Sequence, residues 1–137
     1  MPFGPLFGIR NLASALEALQ AVGSPGFRLL VDVLHLVRSG AGAAELAEHE
    51  PGRVGYVQIC DVPLASSMER YMEEARNERL APGHGELPLL ELLQALPRDV
   101  VVGLEIPMLA QAQAGVGPRE RLQGAVAATE ELLRKLG

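Results

Sequence analysis

The sequence predicts an α/β fold built on a parallel sheet. Short apolar segments alternate with helical segments along the 137 residues, and strands separated by helices pair in parallel through right-handed crossovers. Three strands are predicted, at residues 27–33, 54–60 and 100–106, because each is a short apolar run typical of a buried parallel strand. The length suffices for one modest core, so we expect a single domain over residues 1–137.

The segments between the strands have helical patterns. Helices are predicted at residues 12–21, 43–49, 67–78 and 88–96, with a last one beginning near Pro118. The 67–78 segment is rich in charge, which predicts a solvated surface helix. The last helix places several small or apolar residues along one side: Leu122, Val126, Thr129, Leu133 and Leu136.

Composition limits the classes of partner. Hydrophobic residues make up 48% and charged residues 21%, which is typical of a soluble globular chain. The net charge of −5, without a basic cluster, disfavours nucleic acid. No apolar run approaches the roughly 20 residues that span a membrane. The single cysteine, Cys60, rules out an intrachain disulfide and predicts a cytoplasmic location.

Polar residues stand at the ends of the predicted strands, where sites form in parallel sheets. The first strand ends at Asp32, with His35 three residues later; Gln58 ends the second, and Glu105 the third. A buried carboxylate is costly unless it is paired or binds a metal. Oxygen ligands of this kind suit Mg²⁺, Mn²⁺ or Co²⁺. The alternative is that Asp32 and Glu105 cap loops or helix N-termini.

Four stretches in this order resemble the xylose isomerase-like TIM barrels, a superfamily of sugar-phosphate isomerases, epimerases and 3-dehydroshikimate dehydratases. They are LLVDVLHLVRSGAG, VGYVQICDVP, ERLAPGHGELPLLELLQAL and VVGLEIP. The opening residues resemble the loop and helix that follow the fourth barrel strand. The resemblance implies the C-terminal half of a (β/α)8 barrel, approximately strands five to eight. Such a barrel needs about 250 residues.

The resemblance also implies a divalent metal (Mn, Mg, Co or Zn) bound by Asp32, Gln58 and Glu105. The family's first glutamate ligand would precede the segment that matches Met1. Gln58 stands where most members have His, and it resembles the glutamine of some dehydroshikimate dehydratase-like members. Glu105 is also a candidate acid/base.

Two further residues of the chain match functional positions of the family. Arg79 would hold an anionic group of the substrate, or else be a surface arginine at a helix end. His35 resembles a residue that lies near the substrate or just behind the residues that touch it, which makes it a second catalytic candidate; its alternative is a helix-start histidine with no ligand.

The implied function is that of a fragment of a metal-dependent sugar (phosphate) isomerase or epimerase, acting on a carbohydrate or polyhydroxy acid and inactive alone. The alternatives are a 3-dehydroshikimate dehydratase-like lyase fragment and a non-catalytic half barrel that oligomerises. A half barrel leaves two open sheet edges and an exposed interior, so we expect a homodimer or larger homo-oligomer.

Overall fold

The structure is a computed structural model that describes residues 1–49 and 51–136. Its elements, in chain order, are α1 Leu12–Val22, β1 Leu29–Asp32, α2 Val33–Arg38, α3 Ala43–Ala47, a 3-10 turn Pro51–Arg53, β2 Val54–Ile59, α4 Tyr71–Asn77, α5 Leu89–Gln94, β3 Val102–Leu104, α6 Leu109–Gln113 and α7 Pro118–Arg134. Every predicted helix and strand is present, and the strands are shorter than predicted.

The three strands form one sheet in the order β1-β2-β3. β1 and β2 are parallel, and Asp32 stands opposite Gln58 in the register. The predicted parallel α/β fold is therefore confirmed. The described residues contain three strands, where strands five to eight of a barrel would number four. β1 is an edge strand of this sheet. On the side of β1 away from β2, the Leu30 N–H donates a hydrogen bond to the Met1 carbonyl at 2.9 Å, so the N-terminal residue covers part of this edge.

Local signals explain where the longer helices begin and end. Asn11 caps α1, where its side chain accepts from the Ser14 N–H in a capping box. Gly23 ends that helix in the left-handed region, at φ 63°. Pro118 occupies the first turn of α7, as predicted. Two short helices, α2 and α6, were not predicted, because six- and five-residue segments carry too little periodicity.

The chain divides into two compact units. The first comprises Met1–Gln58 and Glu91–Gly103, and the second Ile59–Leu90 and Leu104–Gly137. The single domain expected from length stays a prediction. In the first unit, one face of the sheet is buried through Leu29, Val31 and Val57, whereas Leu30 and Tyr56 on the other face are only half-buried.

The second unit has its own core, and part of the 67–78 segment, which was predicted to be a solvated helix, belongs to it. Its fully buried side chains include Ile59, Val62 and Tyr71. Tyr71 belongs to α4, and Glu74 on the same helix is also buried. The prediction that this segment is a solvated surface helix is wrong, because charged neighbours concealed a buried face. In the described ranges, no helix has the length and apolar character needed to cross a membrane.

Candidate functional site

In the first unit, Asp32 and Gln58 stand side by side at the carboxyl end of the sheet. They are register partners on adjacent parallel strands, so their side chains project from the same face. Asp32 is 3% exposed and Gln58 is half-buried. The structure thus places two of the three predicted ligands next to each other at the sheet edge where sites form in this class.

The Asp32 carboxylate also caps α2. Its Oδ1 accepts from the Leu34 N–H at 2.9 Å and from the His35 N–H at 3.4 Å. The capping alternative is therefore observed for this residue. Capping by one oxygen fixes the direction of the whole carboxylate. The second oxygen, Oδ2, lies 3.6 Å from Nε2 of His35.

His35 lies in α2 with its ring held on two sides. One contact is the Asp32 carboxylate, and the other is Phe7, whose ring meets the imidazole edge-on at a centroid distance of 5.0 Å. The residue is 8% exposed. The ring is therefore fixed by an acid on one side and an aromatic edge on the other. Its predicted closeness to a substrate stays a prediction.

In the second unit, Arg79 and Glu105 form an ion pair. Nη1 of Arg79 lies 3.4 Å from Oε2 of Glu105 and also donates to the Glu105 carbonyl at 3.3 Å. Its Nε donates to the Ala75 carbonyl at 2.8 Å, and Cys60 Sγ is 3.7 Å from Nη1. The arginine is 3% exposed, so the surface-arginine alternative is wrong. The Glu105 side chain is half-buried.

A buried carboxylate that the sequence analysis did not single out, Asp61, organises the loop after Arg79. Its Oδ1 accepts from the N–H groups of Val62 and Leu87, at 2.9 and 3.0 Å. Its Oδ2 accepts from Gly83 at 2.9 Å. A Cβ on Gly85 would collide with the same carboxylate, which explains the glycine. The signal available in the sequence was an aspartate three residues after Gln58 and ahead of the PGHG segment.

The donor chemistry of Asp32 and Gln58 fits a hard or borderline divalent cation, because a carboxylate and an amide supply oxygen ligands. Within the described ranges, no three His, Cys, Asp or Glu side chains gather into a group that could hold a metal ion. The third predicted ligand, Glu105, belongs to the second unit. Its role as a ligand stays a prediction.

The family model described as xylose isomerase-like TIM barrel matches residues 1–132. The chain therefore belongs to the xylose isomerase-like TIM barrel family, as its motifs predicted. A search of curated proteins finds no match.

Solved structures agree with the fold. A crystal structure of the IOLI protein with a binding zinc atom superposes with a TM-score of 0.81 at 19% identity, over 98% of this chain and 47% of that one. A xylose isomerase domain protein from Alicyclobacillus acidocaldarius has a TM-score of 0.60 at 26% identity, over 89% and 45% of the two chains. A fusion of a xylose isomerase-like TIM barrel with 4-hydroxyphenylpyruvate dioxygenase has a TM-score of 0.63 at 19% identity, over 72% and 16%. The chain thus spans less than half the length of these structures.

Proposed function

We propose that this chain supplies part of the metal and substrate site of a metal-dependent barrel that isomerises or epimerises a carbohydrate or polyhydroxy acid. The observation that carries the proposal is the pairing of Asp32 with Gln58 at the carboxyl ends of adjacent parallel strands in a chain of this family. A zinc atom in the IOLI protein, whose fold this chain matches, agrees with a metal-dependent site.

Each residue has a proposed task. When bound, a divalent cation polarises a carbonyl or hydroxyl oxygen of the substrate. Asp32 presents Oδ2 as a ligand while its Oδ1 stays on the backbone of α2, and Gln58 adds an amide oxygen. Glu105 is the candidate acid/base that the family resemblance implies. Arg79 orients the Glu105 carboxylate, and this task accounts for the burial of the arginine better than direct contact with an anionic substrate.

The first prediction concerns metal binding by the purified chain. We expect Mn²⁺ or Zn²⁺ to bind near one ion per chain after dialysis, measured by calorimetry and elemental analysis. Asp32→Ser should weaken binding by about 10-fold to 100-fold, because serine keeps an N-cap acceptor but removes the carboxylate. Gln58→Leu should weaken it in the same direction.

The control is Asp99→Asn, which changes an exposed carboxylate by the same charge and should leave the affinity unchanged. Circular dichroism of the Asp32→Ser protein should match that of the parent chain. A chain that binds no metal at micromolar concentrations would contradict the proposal and favour the non-catalytic half barrel.

The second prediction is that the 137-residue chain shows no isomerase or dehydratase turnover by itself. Proton transfer on both sides of a carbon needs two positioned groups, and the chain spans less than half of the barrels it matches. The measurement is an assay of the purified, metal-supplemented chain against aldose–ketose pairs and 3-dehydroshikimate. Turnover above the rate of the Glu105→Gln chain would contradict it.

One observation favours dehydration over isomerisation. Gln58 resembles the glutamine of dehydroshikimate dehydratase-like members. The two chemistries separate in a chimera that places an N-terminal half of a family barrel before this chain. Loss of water from 3-dehydroshikimate without interconversion of sugars would favour the dehydratase.

A further inference from the structure

Helix α7 has one wide apolar arc, and only one side of this arc is covered within its own unit. Ala125, Thr129 and Leu132 on that side are buried. The other side of the arc is a stripe of three large side chains that solvent reaches, Leu122, Val126 and Leu133, which are 57%, 39% and 40% exposed. With 3.6 residues per turn, these three lie within roughly 40° of one another around the helix. We call them the α7 stripe.

Two charged residues border the α7 stripe on the side away from the buried face. The same periodicity places Arg119 and Glu130 on one flank, three turns apart. Neither forms an ion pair with any residue that the structure describes. An ion pair at the C-terminal end of this helix, between Glu131 and Lys135, lies on the side opposite the α7 stripe.

We propose that the α7 stripe packs against the α7 stripe of a second copy of this chain, with the two helices antiparallel about a twofold axis. The argument is the symmetry of the charges. The midpoint between Arg119 and Glu130 nearly coincides with the midpoint between Leu122 and Val126. An antiparallel pair therefore brings each Arg119 to Glu130 of the partner subunit while the leucine and valine side chains meet between them.

A twofold contact requires one surface to be complementary to itself, and the α7 stripe with its two charges meets that requirement. In a parallel pair the flank with Arg119 and Glu130 would lie on opposite sides of the interface in the two copies, so these two charges would not meet. One helix pair buries less surface than a standard interface of about 800 Å² per partner, so the dimer should dissociate on dilution. The inference goes beyond the proposed function, because none of the predicted site residues belongs to α7.

The first test is sedimentation velocity of the full chain over a range of concentrations. The parent chain should pass from monomer to dimer as concentration rises, and Leu122→Glu should stay monomeric throughout. The control is Leu64→Glu, which places the same charge on another exposed leucine, one outside α7, and should dimerise like the parent. Circular dichroism should show that both variants are folded, because both positions are exposed.

The second test exchanges the charges. Arg119→Glu and Glu130→Arg should each raise the dimer dissociation constant by about tenfold, and the double variant should return it to the parent value. Glu120→Arg makes the same charge change on the opposite side of the helix and should have no such effect.

Three results would overturn the proposal. One is a parent chain that stays monomeric at all concentrations. A chain that does not self-associate but binds a separately expressed N-terminal half barrel counts as this same result. Another is a dimer that survives Leu122→Glu, which would mean that a different surface mediates it. The third is a double charge variant that fails to recover, which would exclude the antiparallel arrangement. Metal content is measured separately in each variant, so a metal-free chain that dimerises as described contradicts only the proposed function.

Discussion

Asp61 is 1% exposed and accepts hydrogen bonds from three backbone N–H groups, those of Gly83 and Leu87 in the loop that contains His84 and that of its neighbour Val62. Each hydrogen bond that a carboxylate accepts contributes about 1.5–3 kcal/mol. The loop between α4 and α5 therefore depends on one side chain at its base. His84 itself is exposed.

The prediction at this scale is that Asp61→Asn lowers the free energy of unfolding by about 3 kcal/mol. The amide replaces one carboxylate oxygen by an N–H donor, which then faces a backbone N–H. Urea unfolding followed by circular dichroism measures the change. The exposed variant Asp99→Asn should unfold like the parent chain, and an equal loss in both variants would contradict this account.

Single residues also show how far the sequence could lead. Asp32 and Gln58 were predicted to lie at the same end of the sheet, and they are register partners in the structure. This could be predicted because each strand and its carboxyl end can be located from the local apolar pattern alone. The burial of Arg79 and its bond to Glu105 depend on segments 26 residues apart. No local pattern distinguishes such a buried arginine from a surface arginine at a helix end.

Between elements, β2 and β3 meet where a glycine leaves room for a tyrosine. The Tyr56 hydroxyl occupies the space that a Cβ at Gly103 would take. The strand therefore needs glycine at this position for packing and not for backbone freedom. Tyr56 is half-buried on the same sheet face as Leu30.

We predict that Gly103→Ala lowers the free energy of unfolding by about 2 kcal/mol, because the added methyl group overpacks against the tyrosine. In the Tyr56→Ala background, the same substitution should cost less than half as much. Both values come from chemical denaturation. Gly124→Ala, in a part of α7 with open space around it, should instead stabilise the chain by about 0.5–1 kcal/mol. Equal costs in the two Tyr56 backgrounds would contradict the packing explanation.

Helix α7 illustrates a limit of periodicity. The sequence predicted one side containing Leu122, Val126, Thr129 and Leu133, yet the structure buries Thr129 together with Ala125 and Leu132. A wide apolar arc indicates that a helix packs against something, but it does not indicate which side of the arc is buried within the helix's own unit. The same uncertainty hid the buried side of α4, where Tyr71 and Glu74 pack inward.

At the scale of the whole molecule, the alternation of strands and helices was sufficient for the fold class. The family followed from four motifs in order, and a family model over residues 1–132 confirms it. The division into two compact units was not predicted, because contacts distant in sequence determine it. The ligand set, the substrate class and the oligomeric state depend on contacts with other molecules, so for them the sequence yields only expectations to be measured.

Cys60 is the one cysteine in the chain and its thiol is fully buried. A reagent that attacks thiols can therefore modify the protein at a single place, and only when the second unit opens. The rate of that modification reports how often the interior around Arg79 becomes exposed, without any engineered label. Substitutions that weaken the Arg79–Glu105 pair should increase the rate of labelling. Because the chain has no tryptophan whose fluorescence could be followed, Cys60 is its natural probe of local opening.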